Sequence, residues 1–289
     1  MADPTTFGED LAGASQRALD LAPLLCGACM NYHMLFPIKR HLSTVSDIPD
    51  RHHLVEAIGK LLAEATDRKS QIDVVVAGAA DSGLLAVCAH AVNLFMGAAM
   101  DRARFTVVDR CPTPLALCDD YAAINGLSLT VHMDDLVSTT ERYPADIILL
   151  HSLLAFIPRR DHVPLFRKLA SWLKPQGQII FSTEVRSPDN REAYRARRSQ
   201  RAEQVRAAVM SGQFVVKEAV DVFCARLENI GTERSNHAFE FETVAEVQDF
   251  IVRTGLKLVS DERIFDNSRL SNGRHIQRER VIAVLAAPE

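Results

Sequence analysis

The chain has 289 residues, of which 47% are hydrophobic and 24% are charged, and its formal net charge at pH 7 is -4. This size and composition allow one large α/β domain with an accessory segment, or two small domains. The weak negative charge gives no reason to expect a nucleic acid or an anionic membrane as a partner. The first residues lack the pattern of a signal peptide, and no uninterrupted apolar run reaches the roughly 18 residues of a membrane span. With only six cysteines, several of them in apolar runs, we expect a soluble cytoplasmic protein with reduced thiols.

The N-terminal part of the chain is expected to be helical. Residues 8–42 are apolar and helical in character, and Pro23 and Pro37 predict breaks between short helices. Asp50 is expected to cap the next helix, because a short acid before apolar residues at helical spacing is a typical N-cap. The polar stretch TDRKS marks the end of that helix.

From Ile72 onward, runs typical of buried strands alternate with helical runs. The predicted strands are IDVVVAGA, FTVVDR, LSLTVHMDD, ADIILLHS and QIIFSTEV, and HVPLFRKLASWLKPQG predicts an amphipathic helix with its stop signal. Apolar strands separated by helices indicate a parallel sheet with both faces covered. Near the C-terminus, the helix TVAEVQDFIVRTGL precedes the strands KLVSDERIF and RERVIAVLAA, with Asn272-Gly273 between them. Two consecutive strands without an intervening helix predict an antiparallel end to the sheet.

An arginine-rich segment interrupts this alternation. Residues 186–212 predict a helix that is opened by Ser187-Pro188-Asp189 and closed near Gly212. Its arginines are Arg186, Arg191, Arg195, Arg197, Arg198, Arg201 and Arg206. Such a run is usually a solvated face paired with acids, here Glu192 and Glu203. The functional alternative is that one or two of the arginines bind a carboxylate or phosphate of a substrate.

The most informative stretch is the turn between the first strand and the helix after it. Its sequence, Gly78-Ala79-Ala80-Asp81-Ser82-Gly83, keeps small residues where a ligand could approach backbone amides at a helix N-terminus. The second strand ends in Asp109, an acid that could accept both hydroxyls of a ribose. The alternative is a tight turn without a ligand. With the acid in place, we expect a cofactor that contains a nucleoside.

The residue at position 80 helps to distinguish between two possible cofactors. In dinucleotide-binding turns the middle glycine lets the backbone touch a pyrophosphate, and this chain has Ala80 there. A methyl group hinders a pyrophosphate but matters less to a cofactor that has none. The turn therefore favours S-adenosylmethionine over a nicotinamide dinucleotide.

In their order and spacing, these motifs resemble those of class I S-adenosylmethionine-dependent methyltransferases over roughly residues 70–286. VVVAGAADSG is similar to the family's first motif, VVDR to its second strand, and MDDL to the segment after its third strand. ADIILLHSLLAFIP resembles the fourth-strand motif, and WLKPQGQIIF resembles the turn into the fifth strand. The last two strands resemble the family's reversed C-terminal hairpin.

The resemblance implies a cofactor site at the carboxyl ends of the strands. It implies that Asp109 binds the ribose, that an acid near Asp134 meets the adenine amino group, and that the fourth-strand motif lines the methionine end. The cofactor-binding residues expected on this basis are Gly78, Ala79, Ala80, Gly83, Asp109, Arg110, Asp134, Asp135, His151 and Ser152. Two positions depart from the family pattern, and both bear on cofactor affinity. Val76 stands where an acid is usual, and Ala80 stands where a glycine is usual.

Methyl transfer needs little covalent catalysis by the protein, because the sulfonium is already activated. The enzyme mainly aligns the acceptor and excludes water. A base is needed only where the acceptor must lose a proton. The resemblance puts His151, at the end of the fourth strand, beside the transferred methyl group. There it is either that base or a histidine that only shapes the pocket. Tyr32 and His33 are the other catalytic candidates, on an N-terminal helix that is expected to close over the cofactor.

Cys26, Cys29 and His33 lie at positions i, i+3 and i+7, on one face of a helix. Cysteine and histidine are zinc ligands, but a structural zinc site needs four ligands, and no second pair of this kind follows in the sequence. We therefore expect no metal. We expect this helix to pack over the mouth of the cofactor site instead.

The sequence thus predicts an α/β fold with a doubly wound, seven-stranded, mostly parallel sheet whose last strand is antiparallel. The predicted parts are an N-terminal helical cap (1–69), a Rossmann-like core that binds S-adenosylmethionine (70–185), a helical lid insertion (186–242), and a C-terminal helix with a β-hairpin (243–289). The predicted reaction is methyl transfer to O, N or S of a small molecule, with S-adenosylhomocysteine as product. An NAD(P)-dependent oxidoreductase and a non-catalytic cofactor-binding module are the alternatives. The small molecule could be anionic; no nucleic acid or membrane partner is expected, and a homodimer is left open.

Overall fold

The computed structural model of the chain describes residues 7–27, 29, 32–42, 50–66, 69–187, 191–226, 239–269 and 275–288. Within these ranges, side chains are described for all but residues 191–199, 201, 266–269 and 275–277.

Within the described residues, a seven-stranded sheet forms the centre of the fold. The strands are β1 (Ile72–Ala77), β2 (Ala103–Asp109), β3 (Leu129–Met133), β4 (Ala145–His151), β5 (Leu173–Val185), β6 (Lys257–Arg269) and β7 (His275–Ala286). Their order across the sheet is β3-β2-β1-β4-β5-β7-β6. Strands β1 to β5 pair in parallel, whereas β7 runs antiparallel to both of its neighbours. The predicted doubly wound sheet with its last strand reversed is confirmed.

Helices pack on both faces of this sheet and extend beyond it. They are α1 (Leu11–Leu25), α2 (Tyr32–Leu42), α3 (Arg51–Thr66), α4 (Gly83–Met96), α5 (Pro112–Asn125), α6 (Arg159–Trp172), α7 (Arg191–Met210) and α8 (Val244–Thr254). Short 3₁₀ segments follow α4 (Gly97–Arg102) and β4 (Leu153–Phe156). Residues 220–226 are also helical.

Alternate residues of the central strand β1 belong to different cores, which explains why its sequence is almost entirely apolar. Val74 and Val76 pack into the core that includes α3 and α4. Val75 and Ala77 pack into the core on the opposite face, which includes α6 and α8. Because successive side chains of a strand point to opposite faces, a strand that is covered on both faces has no polar side.

One helical stretch, Gly83–Arg102, is long and apolar enough to cross a membrane by length and composition. In this fold, 56% of its most apolar window is buried inside the protein. Within α4, Leu85, Val87 and Cys88 are completely enclosed. The stretch is therefore packed as a core helix beside the sheet.

Pro23 and Pro37 do not break helices, and that prediction is wrong. Pro23 lies inside α1, which continues to Leu25, and Pro37 lies inside α2. A proline removes one backbone hydrogen bond from a helix interior. Packing offsets that loss in α2, because Pro37 is buried and its neighbour Ile38 lies in an apolar cluster.

The N-terminal helices and the arginine-rich segment share this third apolar cluster. Leu19, Met34 and Ile38 from α1 and α2 pack with Val205 from α7 and with Phe223. The boundaries of the cap and of the insertion stay predictions, but the two segments meet in one core. Arg206 in α7 pairs with Asp221, while the side chains of Glu192 and of most other arginines lie outside the described residues.

The predicted end of the helix before β5 is wrong. The run LKPQG was predicted as the end of a helix, but α6 ends at Trp172, and Leu173 already pairs with Ala145 of β4. Gln176 within this run has a left-handed conformation with φ 66, and regular pairing of β5 with β4 resumes beyond it. The predicted turn Asn272-Gly273 lies outside the described residues.

Candidate functional site

The carboxyl ends of the parallel strands meet at one edge of the sheet, which is where ligands bind in open α/β folds. Gly78 follows β1 at this edge and has a positive φ of 80°. Its amide donates to the carbonyl of Val108 at 2.8 Å. A Cβ atom on Gly78 would lie 2.7 Å from Cδ1 of Leu153. The left-handed backbone favours a glycine, whereas the contact is with the end of a flexible side chain.

Asp109 ends β2 beside this turn, and two backbone amides hold its carboxylate. Oδ2 accepts from the amide of Ala79 at 2.9 Å, and Oδ1 accepts from the amide of Cys111 at 2.7 Å. Burial raises the pKa of Asp109, and the two amides oppose that rise only in part. Each carboxylate oxygen has two acceptor sites, so the group keeps capacity for hydroxyl donors. The structure thus brings the predicted turn and the predicted ribose acid together, with Arg110 exposed next to them.

Asp134 and Asp135, which follow β3, brace the loop that comes after them. Oδ2 of Asp134 accepts from the hydroxyls of Thr139 and Tyr143, the latter at 2.8 Å. Asp135 is exposed, and its carboxylate accepts from the amide of Val137 at 2.8 Å. Any adenine amino group at Asp134 would therefore share that carboxylate with the loop.

Gly83, at the start of α4, is covered by a buried ion pair. Its amide donates to the carboxylate of Asp81 at 2.8 Å, and a Cβ atom on Gly83 would lie 2.5 Å from the guanidinium of Arg40. Arg40 pairs with Asp81 at 2.7 Å and also with Glu9, and all three side chains are buried. Burial would lower the pKa of Arg40, but Asp81 and Glu9 raise it, so the guanidinium stays charged. Gly83 therefore contacts this ion pair at the place where the sequence had suggested a cofactor.

His151 ends β4 and is paired with a buried carboxylate. Its Nε2 lies 3.0 Å from Oδ1 of Asp50. The side chain of His151 is 11% exposed, whereas that of Asp50 is fully buried. Asp50 does precede α3, where the N-cap prediction placed it, but its carboxylate is bound by His151 and Ser182.

Three further side chains complete what we call the His151 cluster, which consists of His151, Asp50, Ser152, Ser182 and Arg280. Nε of Arg280 lies 3.2 Å from Oδ2 of Asp50. Nη2 of Arg280 donates to the hydroxyls of Ser152 at 2.7 Å and Ser182 at 3.1 Å. Ser152 has a left-handed backbone with φ 54, which is a strained conformation for a residue with a side chain.

The charges in the His151 cluster determine which of its side chains carry protons. Burial would raise the pKa of Asp50, but Arg280 and His151 hold it below its ordinary value, so the carboxylate is ionised. Nη2 of Arg280 is 3.1 Å from Nε2 of His151, the same distance as from the Ser182 hydroxyl, and we assign its two hydrogens to the two serines. We therefore assign a proton to Nε2, which donates it to Asp50. Nδ1 then carries a lone pair and could accept a proton from a substrate.

Helix α2 lies over the same edge of the sheet. Nδ1 of the buried His33 is 2.9 Å from the carbonyl oxygen of Ala80. Burial would lower the pKa of His33, but hydrogen bonds to the Cys111 thiol and to that carbonyl raise it. The ring of Tyr32 packs 5.3 Å from the ring of Phe156, which follows β4. Tyr32 and His33 thus lie at the turn after β1 and at the segment after β4.

Cys111, at the start of α5, lies next to two cysteines of the N-terminal segment. Its Sγ is 3.7 Å from Sγ of Cys26 and 3.2 Å from Sγ of Cys29. The expectation of no metal rested on the lack of further ligands near Cys26, Cys29 and His33 in the sequence. The fold brings such a ligand from 82 residues beyond Cys29.

Sequence reasoning missed four residues of this edge, because they come from separate parts of the chain. They are Cys111, Ser182 and Arg280, together with Asp50 in its role as the partner of His151. Of these four, only Arg280 could have been suspected from the sequence, because an arginine in the strand run RERVIAVLAA needs a partner if it is buried. Nothing in the sequence near Asp50 pointed to His151.

No family model matches the sequence, and no curated protein matches it either. Among solved structures, TehB from Haemophilus influenzae is similar, with 10% sequence identity and a TM-score of 0.46 over 80% of this chain and 62% of that one. An O-methyltransferase family protein from Burkholderia thailandensis has 14% identity and a TM-score of 0.45 over 84% of this chain and 61% of that one. The YcgJ protein from Bacillus subtilis has 11% identity and a TM-score of 0.48 over 82% of this chain and 100% of that one.

The chain spans less than two thirds of the length of the first two of these proteins. Identities and TM-scores of this size do not identify a reaction. A function for this chain has to be argued from its own site.

Proposed function

We propose that this chain is an S-adenosylmethionine-dependent methyltransferase that methylates an O, N or S atom of a small molecule. The proposal is based on one observation: two half-sites lie at the same edge of the sheet. One is the Gly78 turn beside the carboxylate of Asp109, which suits a nucleoside. The other is the Asp50–His151 pair, which suits an acceptor that loses a proton. The reversed β7 in the strand order supports the proposal, since the sequence resemblance implies such a hairpin.

The residues around Gly78 fit the adenosine part of this cofactor. Asp109 offers an oriented carboxylate to ribose hydroxyls, and from Gly78 to Ala80 the turn has no side chain larger than a methyl group. The flexible side chain of Leu153 rests on this turn, so cofactor binding would require it to move outward. The bound cofactor would supply a methyl group that is activated on a sulfonium.

The chain's own contribution would be to move one proton and to exclude water. Nδ1 of His151 would accept the proton that the acceptor atom loses. The ionised Asp50 would hold the ring in place and stabilise the imidazolium that forms, as an oriented carboxylate does beside a catalytic histidine. Tyr32 on α2 would help to close the site against water. His33 already has two partners, so we give it the role of holding the cap on the turn.

The acceptor is proposed to be a small molecule, and an anionic group on it would suit the arginines between residues 186 and 206. We also propose a cytoplasmic location, without a nucleic acid or a membrane as partner. The burial of the apolar stretch Gly83–Arg102 inside the fold is consistent with a soluble chain. A homodimer is left open.

Asp109→Ala is expected to weaken the binding of S-adenosylhomocysteine at least about tenfold, because each charge-assisted hydrogen bond to a ribose hydroxyl contributes roughly 1.5–3 kcal/mol. Isothermal titration calorimetry of the full chain measures this affinity. Asp119→Ala is a matched control, because Asp119 is an exposed acid on α5. Circular dichroism of both variants checks that the fold is retained.

The same titration with NADH tests the oxidoreductase alternative. Binding of S-adenosylhomocysteine without binding of NADH is the expected result, and the reverse pattern would refute the proposal. If Asp109→Ala keeps its affinity within about threefold, which is less than 1 kcal/mol, the ribose is not bound by Asp109. Tight cofactor binding without methylation of any offered phenol, amine or thiol would favour the non-catalytic module.

A further inference from the structure

Three cysteine thiols from two distant parts of the chain meet beside the proposed cofactor site. Cys26 and Cys29 lie between α1 and α2, and Cys111 immediately precedes α5. Their three Sγ atoms all lie within 4.8 Å of one another. The remaining three cysteines, Cys88, Cys118 and Cys224, are each buried in apolar clusters. Three of the six cysteines therefore cluster at one place, whereas the other three are separate core residues.

The spacing of these sulfur atoms suits a common tetrahedral metal. With Zn–S distances of about 2.3 Å, the sulfur ligands of a tetrahedral zinc ion lie about 3.8 Å apart. Sγ of Cys111 is 3.7 Å from Sγ of Cys26 and 3.2 Å from Sγ of Cys29. The Cys26 and Cys29 sulfurs lie within 4.8 Å of each other, so adjustments of up to about 1 Å would bring the thiols to ligand spacing.

His33 is the candidate for a fourth ligand, and because its ring nitrogens are outside the 4.8 Å group of the three thiols, its ring would have to move towards them. Its ring hydrogen-bonds to the Cys111 thiol, and its Nδ1 lies 2.9 Å from the carbonyl oxygen of Ala80. A histidine that binds zinc through one ring nitrogen usually donates the other N–H to a carbonyl or carboxylate, which fixes the tautomer and the ring. The Ala80 carbonyl serves that purpose for Nδ1, which leaves Nε2 for a metal.

A further contact could serve a metal-bound thiolate. Oγ1 of Thr113 lies 3.2 Å from Sγ of Cys26, and a hydroxyl can donate to a metal-bound thiolate. A disulfide would use only two of the three sulfurs and would not involve the third. Four ligands of the types that zinc prefers account for all the side chains present.

We propose that Cys26, Cys29, Cys111 and His33 bind one zinc ion that fastens the N-terminal segment to the sheet edge. Binding would release the thiol protons to solvent, because thiolates are the ligands. The amide of Cys111 donates to Oδ1 of Asp109 at 2.7 Å, so the ion would also steady the residue that orients the ribose acid. The site is structural, since all four positions are taken by protein.

Elemental analysis of the full chain tests the proposal. The protein is purified under reducing conditions, equilibrated with zinc sulfate, passed into metal-free buffer and measured by inductively coupled plasma mass spectrometry. We expect about one zinc per chain, as for a Cys₃His structural site. Cys111→Ser is expected to lose it. Cys118→Ser changes a buried thiol on α5 that is outside the cluster and is expected to keep it.

Cobalt(II) substitution of the wild-type chain provides a readout that does not depend on a folded variant. The thiolate charge-transfer band and the ligand-field bands of a tetrahedral site are the expected result. A wild-type chain without stoichiometric zinc, or a zinc content unchanged in both Cys111→Ser and Cys29→Ser, would overturn the proposal. So would an intact mass lower by two hydrogens, because it shows a disulfide. These readouts do not involve methyl transfer, so the proposed function can fail without affecting them.

Discussion

His151→Gln is expected to lower turnover by at least about 10²-fold, the usual contribution of a general base, while cofactor affinity stays within about threefold, less than 1 kcal/mol. Nε2 of His151 lies 3.0 Å from Oδ1 of Asp50, and the amide nitrogen of glutamine can reach the same carboxylate. The variant therefore keeps the buried hydrogen bond but lacks a nitrogen that takes up a proton. Formation of S-adenosylhomocysteine, with the best acceptor from a panel of phenols, amines and thiols, measures turnover.

The pH dependence of this rate separates a base from a histidine that only shapes the pocket. The acid-side fall of the wild-type rate should be absent in His151→Gln, because the variant lacks a nitrogen that takes up a proton. His53→Gln is the matched control, because His53 lies on α3 and pairs with the partly exposed Glu262. A variant that retains turnover, or retains the acid fall of the wild type, would leave His151 with a shaping role only.

Asp50→Asn is expected to lower the free energy of unfolding by about 3–5 kcal/mol, because removing one partner of a buried ion pair leaves the other charge uncompensated. The charge left behind is that of Arg280, whose side chain is buried beside Asp50. Urea denaturation at neutral pH measures the loss. Asp135→Asn, which changes an exposed acid, should change stability by less than about 1 kcal/mol.

The effect of Asp50 should also depend on pH in a defined direction. Its pKa in the folded chain is below the ordinary value, which is about 3.9 for an unfolded aspartate. The stabilisation is therefore fully present above about pH 4 and is lost as the pH falls towards the folded pKa. The stability gap between wild type and Asp50→Asn should narrow in acid. A gap that stays constant down to the acid transition would show that Asp50 is not ionised in the fold.

The central strands and the reversal of the last strand could be predicted from the sequence, because the central strands are continuous apolar runs and the last two strands have no helix between them. β1 and β4 show this best, since nearly every residue is buried on one face or the other. Gly78 and Asp109 were also predictable, because a small-residue turn and a strand-ending acid are local patterns. The two prolines were misjudged, because the local cost of a proline was weighed without the packing around Pro37.

Contacts between distant segments could not be predicted from one sequence. Asp50 was predicted to cap a helix, but its carboxylate binds His151, which is 101 positions away. Cys111 had no local pattern that linked it to Cys26 and Cys29. Gly83 was assigned to the cofactor because its motif is local, whereas Arg40, which covers it, comes from α2. Residues that belong to local motifs, such as Gly78 and Asp109, were therefore accessible, whereas pairings between distant segments were not.

The most direct test of the account is a crystal structure of the chain with S-adenosylhomocysteine. We predict that the ribose hydroxyls lie within hydrogen-bond distance of the Asp109 carboxylate, about 2.5–3.2 Å. The cofactor sulfur should lie on the side of the edge that holds His151, under the cap formed by Tyr32 and its neighbours. A cofactor bound elsewhere on the chain would contradict the account. So would a Tyr32 side chain more than about 15 Å from the sulfur, because a side chain reaches only several ångströms from its backbone.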